Sequence, residues 1–154
     1  MKHVFKSKQS PAQQLKAITD EDMPLILKWF DDQRFEHHWC FTLEEQLASL
    51  GNISLSLYSS WLAQIKSGGA PVLNYDATRR LSILVGINKS LEILAPDNRP
   101  DCAVRWLLTP NNSAICAGQS IKTYLLINNT LNGFCIVEAY LVDAVNGFLG
   151  GTYS

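Results

Sequence analysis
Apolar residues recur along this chain at helical spacing in successive stretches, each bounded by residues that cap or break helices. Thr19-Asp-Glu-Asp22 places acids at a helix start, and Pro24 fits its first turn. Leu25, Ile26, Trp29, Phe30 and Phe35 then share one broad apolar face. Thr42-Leu-Glu-Glu45 is a capping box ahead of Leu47 and Leu50, with Gly51-Asn52 as the stop. Ser54 or Ser56 caps a helix carrying Leu57, Trp61, Leu62 and Ile65, which Ser67-Gly-Gly-Ala-Pro71 ends. A longer helix is expected from an Asp76 cap to Leu94, with Gly86 mildly costly in its interior and Pro96 beyond its end.

Asp101 caps the next expected helix, in which Trp106 is the anchor and Thr109-Pro110 the end, because the residue before proline is pushed out of helical geometry. Ser120 caps Ile121 to Ile127, although the β-branched residues of 115–127 leave a strand open there. Phe134, Ile136, Val137, Tyr140, Leu141 and Val145 form a last helix expected to end at Asn146-Gly147. Sustained period-two alternation and hairpin turns are missing, so the expected fold class is all-α. Residues 1–17 lack apolar periodicity and read as a flexible N-terminal arm. The short helices around Gly51-Asn52 have the layout of a helix-turn-helix.

Composition narrows the function. The 154 residues carry a formal net charge of −1, and 47% of them are apolar, without a stretch long enough to span a bilayer. No secretory signal is read at the start, so a cytoplasmic location and reduced thiols are expected. Cys40, Cys102, Cys116 and Cys135 form no C-x-x-C pair and read as small apolar fillers.

Reactive constellations are weak. Adjacent His37 and His38 in Glu36-His-His-Trp-Cys40 point about a hundred degrees apart on a helix, so a metal site is not expected, and Trp39 reads as core. Gly118-Gln-Ser120 lacks the second glycine of a nucleophile elbow and reads as a cap. Asp31 and Asp32 read as a solvated helix face rather than paired acid and base. Neither an enzyme nor a cofactor is expected.

The ordered set Arg80-Leu-Ser-Ile-Leu-Val-Gly-Ile-Asn-Lys-Ser-Leu-Glu-Ile-Leu-Ala-Pro-Asp97, Ala103-Val-Arg-Trp-Leu-Leu-Thr-Pro-Asn-Asn112, Ala117-Gly-Gln-Ser120 and Tyr140-Leu-Val-Asp-Ala144 resembles the Xre/MbcA/ParS antitoxin family. Upstream, Leu43 to Gly51 and Ser54 to Trp61 are similar to its divergent helix-turn-helix. The chain departs from the pattern at Ala117, where the family's turn has its first glycine, at Ile121 in place of proline, and at Ala95 in place of phenylalanine.

The resemblance implies a divergent Xre-like helix-turn-helix domain at 18–95 and a small helical toxin-binding domain at 96–154. It implies a type II antitoxin that does no chemistry and covers the active site of a cognate RES-type toxin, which consumes NAD or transfers its ADP-ribose. A homo-oligomer and operator DNA are further implied partners. Trp106, Pro110, Asn111, Gly118, Ser120, Phe148, Tyr153 and Ser154 are the candidate toxin contacts; Ser56, Tyr58, Ser59 and Lys66 are the candidate DNA contacts. The stretch from Ser54 to Ile65 has no Arg or Lys, which counts against operator binding, since phosphate contacts supply much of the affinity for DNA. A DNA-acting transcription regulator and a helical adaptor without a toxin partner are the competing readings.

Overall fold
The computed structural model describes residues 19–35, 38–99 and 101–149. Its helices are α1 (Met23–Asp31), α2 (Leu43–Ser49), α3 (Leu55–Lys66), α4 (Tyr75–Leu94), α5 (Cys102–Leu108), α6 (Ile121–Ile127) and α7 (Leu131–Leu149), with 3-10 turns at Asp20–Asp22 and Asp32–Arg34. No strand occurs among the described residues, so the chain is all-α as expected, and the ambiguous 115–127 segment ends in α6. None of the described helices is long and apolar enough to cross a membrane. The arm expected at 1–17 lies outside the described residues.

Most helix starts obey local chemistry. The Thr42 hydroxyl accepts from Glu45 N–H while the Glu45 carboxylate accepts from Thr42 N–H, completing the capping box of α2. Ser54 and Ser120 cap α3 and α6 through the N–H groups of Leu57 and Thr123. Gly51 (φ 97°) and Asn52 (φ 60°) turn the chain after α2 in the left-handed region those residue types favour.

Three boundaries differ from expectation. Asn74, not Asp76, caps α4, and the Asp76 carboxylate instead pairs with Arg80 one turn on, 3.0 Å away. Asp101 stands at the start of α5 without a side-chain capping bond, because its carboxylate is drawn to Arg99. α7 starts earlier, where the Thr130 hydroxyl accepts from Gly133 N–H, and it continues through Asn146-Gly147 to Leu149.

α4 is the central helix. Its most extensive packing is with α7, and it also touches α1 and α5. Leu81, Ile83, Leu84, Val85, Ile87 and Leu91 are all buried, covering more of its circumference than one stripe can. α7 answers with Phe134, Val137, Leu141 and Val145, each worth about 1.5–3 kcal/mol when withdrawn from water. Phe41 packs against Phe30 and Trp39 in tilted contacts with centroids 5.8 and 5.3 Å apart, and Trp39 Nε1 donates to Asn88 Oδ1 of α4. A single buried cluster runs from Met23 to Leu141, so the described parts of segments 18–95 and 96–154 share one core.

Several apolar side chains expected inside are exposed. Leu25 and Phe35 flank α1 outside its buried Ile26, Leu27 and Phe30, because a helix of 9 residues buries only the face turned to α3 and α4. Cys40 is exposed, and only Cys116 of the four cysteines is a fully buried filler. Trp106 is not an anchor: it is 41% exposed, and its neighbour Leu107 enters the core instead.

Gly86 has a structural reason. A Cβ there would meet the carboxylate of Glu138 on α7, so its absence lets that half-buried group lie against α4. Burial raises the Glu138 pKa above the ordinary carboxylate range, with Arg79 opposing the shift more weakly. A raised native pKa means the folded state binds the proton more tightly. This carboxylate therefore lowers stability as pH rises through the interval between its unfolded and native pKa values. Glu138→Gln is expected to raise the thermal midpoint at pH 7, with the advantage vanishing once the pH falls below the ordinary carboxylate range. Melting curves across pH would check the trend.

Candidate functional site
An apolar groove with a volume of ≈ 560 Å³ opens where four helices converge. Leu91 and Leu94 come from the last turns of α4, Trp106 from α5, Ile121 from the start of α6, and Tyr140, Leu141 and Ala144 from α7. Thr109, Pro110, Asn111, Ser113 and Cys116 close the remaining side from the α5–α6 loop. No charged residue belongs to this lining. Trp106 and Tyr140 are both substantially exposed, although an isolated aromatic surface of that size would ordinarily be withdrawn from water.

The loop is built by backbone chemistry. Pro110 lies just beyond the end of α5 and cannot continue a helical hydrogen-bond pattern. Asn111 N–H donates to Gln119 O and Asn111 O accepts from Gly118 N–H, at 3.2 and 2.7 Å, tying the two ends of the loop together. Within it, Ser113 N–H donates to Asn111 Oδ1 and Cys116 N–H donates to the Ser113 hydroxyl. Ala117 (φ 49°) and Gly118 (φ 95°) then reverse the chain into the Ser120 cap. The alanine occupies a backbone conformation that costs an L-residue about 1–2 kcal/mol. Ala117→Gly is expected to stabilise the protein by about 0.5–1 kcal/mol, the relief being partly offset by the greater freedom of glycine in the unfolded chain. The shift of a urea-unfolding midpoint measures it.

Of the candidate toxin contacts, Trp106, Pro110 and Asn111 line the groove together. Gly118 and Ser120 shape the loop behind it, and Ser120 is buried with its hydroxyl committed to the cap, so it is not a contact surface. Phe148 is exposed on the last turn of α7 and is not part of the lining. Tyr153 and Ser154 lie outside the described residues. Leu91, Leu94 and Ile121 were legible as helix positions and through the antitoxin-like stretches but not as walls of a groove, since periodicity says that a residue turns inward but not whether a neighbour covers it. Tyr140 and Ala144 carried one further signal, as the ends of the Tyr140-Leu-Val-Asp-Ala144 stretch.

The candidate DNA contacts do not form one surface. Ser56, Ser59 and Lys66 are exposed on α3, and Lys66 is that helix's single charged residue. Tyr58 is 1% exposed, and its hydroxyl donates to Asp31 Oδ1 at 3.0 Å. Burial, reinforced by that carboxylate, pushes its pKa far above the usual tyrosine value, keeping it a neutral core donor rather than a DNA contact. Asp31 is correspondingly a structural acceptor, also paired with Arg34, rather than part of a merely solvated face. In the former metal candidate, Trp39 is core as expected, and Cys40 Sγ faces the Phe35 and His38 carbonyls; Glu36 and His37 lie outside the described residues.

Comparisons with protein-family models, with curated proteins and with solved structures find no match for this chain.

Proposed function
We propose that this chain is an antitoxin-type binding protein that neutralises a RES-type toxin by seating part of it in the groove between α4, α5 and α7. One observation carries the reading. Two separate segments of the antitoxin-like pattern, Trp106 to Asn111 and Tyr140 to Ala144, meet across the chain as walls of one exposed apolar groove. Such a surface costs solubility unless a partner covers it. Trp and Tyr are also the side chains that most often dominate the energy of protein interfaces. The rigid loop and the long α7 hold these walls in place before binding, which limits the ordering entropy lost on association.

The reading is tested by co-expressing the full chain with RES-type toxins in cells whose NAD content is followed. Rescue of growth and NAD, together with a stable co-purified complex, is expected for a cognate toxin. Rescue that survives replacement of the groove residues, or none across a broad toxin panel, would sink it. The α3 surface lends no comparable support to a DNA-acting regulator, because its exposed face presents Lys66 as its single charge for phosphate contact.

A further inference from the structure
The groove contains a polar group that the fold orients but leaves unused. Asn111 is half-buried in the lining, and its Oδ1 accepts from Ser113 N–H at 3.1 Å. That bond fixes which end of the amide is oxygen, so Nδ2 presents two N–H donors, and they meet no acceptor among the described residues. Thr109 and Tyr140 add hydroxyls that are likewise without a hydrogen bond among the described residues. Ser113 is the remaining polar residue of the lining and its hydroxyl accepts from Cys116 N–H; the other lining residues are apolar, and the whole segment from Trp106 to Ile121 is free of charge.

These features select an occupant. A charged group would surrender its hydration to a lining that offers no counter-charge. An apolar side chain gains by the same transfer, and the peptide carbonyl beside it supplies the acceptor that Asn111 lacks. The ≈ 560 Å³ volume falls within the roughly 300–1,000 Å³ of sites that enclose ligands larger than one side chain.

We infer that the groove receives an uncharged peptide segment of the partner, with a bulky aliphatic or aromatic side chain against Trp106, Leu91 and Leu94 and a main-chain carbonyl on Asn111 Nδ2. This rests on the antitoxin reading and adds the chemistry of the docked segment. Asn111 is the donor that positions a peptide carbonyl, and the uncharged lining around it is what discriminates against a carboxylate-bearing side chain.

The test uses the full-length, isotope-labelled chain and two small probes, N-acetyl-leucine N-methylamide and N-acetyl-glutamate N-methylamide, followed by the Trp106 indole and Asn111 amide resonances. The leucine probe is expected to give saturable shifts at both, with about tenfold weaker binding of the glutamate probe. Asn111→Asp keeps the acceptor for Ser113 N–H but removes the donor, so it should weaken the leucine probe about tenfold while the remaining spectrum stays in place. Shifts that do not saturate, equal binding of the two probes, or an Asn111→Asp protein that binds the leucine probe unchanged would each overturn the inference. An Asn111→Asp antitoxin that neutralises a toxin as well as the parent does removes this inference and leaves the proposed function. Leucine-probe binding in a chain that neutralises no toxin does the reverse.

Discussion

Arg80→Ala is expected to destabilise the protein by about 2–4 kcal/mol, a large share of the roughly 5–15 kcal/mol that holds a domain of this size together. The Arg80 side chain is only 7% exposed, and its guanidinium joins parts of the chain that are remote in sequence. It pairs with Asp76 on its own helix, donates to Ser49 O at the end of α2, and donates to both the side chain and the backbone carbonyl of Asn129 between α6 and α7. The Phe134 ring of α7 lies 5.1 Å from its centre. Asn129 returns a bond to Ala48 O, closing the network. Removing the guanidinium strands the buried Ser49 carbonyl and the half-buried Asn129 acceptors at once, and an unmet buried group costs more than a formed bond contributes. Arg80→Lys should recover only part of the loss, since one ammonium cannot reproduce the planar fork. Urea unfolding with an unchanged slope would measure both; a loss below about 1 kcal/mol for the alanine variant would mean that the network is ornamental.

On the proposed antitoxin reading, Trp106→Ala should leave folding nearly intact yet weaken toxin binding by about 2–4 kcal/mol, or roughly 30- to 1,000-fold. The adjacent Leu107→Ala should do the opposite, costing about 2–5 kcal/mol of stability by opening a cavity in the core. The contrast follows from burial: Trp106 is 41% exposed on the groove and Leu107 is 1% exposed. Isothermal titration of a cognate toxin beside thermal unfolding separates the two effects. If Trp106→Ala unfolds the protein while binding per folded molecule is unchanged, the indole belongs to the core and the groove loses its main contact.

Adjacent residues with such different duties show how far local pattern carries. Both Trp106 and Leu107 are apolar positions on a short helix, and nothing within α5 distinguishes them; the rest of the fold covers Leu107 and leaves Trp106 on the groove. Tyr58 makes the same point in reverse. Its place beside Ser56 and Ser59 on a candidate recognition helix suggested an outward contact, but Asp31, 27 residues away, holds its hydroxyl inside. Arg80 was legible only as the first residue of an antitoxin-like stretch, because its acceptors on Ser49 and Asn129 lie on segments that no local pattern joins to it.

By itself the sequence determined where α2, α3 and α6 begin and where α2 stops. Thr42 with Glu45, Ser54, Ser120 and the Gly51-Asn52 turn act through bonds or backbone preferences spanning only a few residues, so their chemistry is complete before the chain folds. Tertiary structure alone decided that α4 is surrounded, that an arginine belongs in the core, and that one end of α4, α5 and α7 stays open as a groove. Burial is a property of what arrives from elsewhere in the chain, and an apolar side chain carries no mark of whether its neighbour will come.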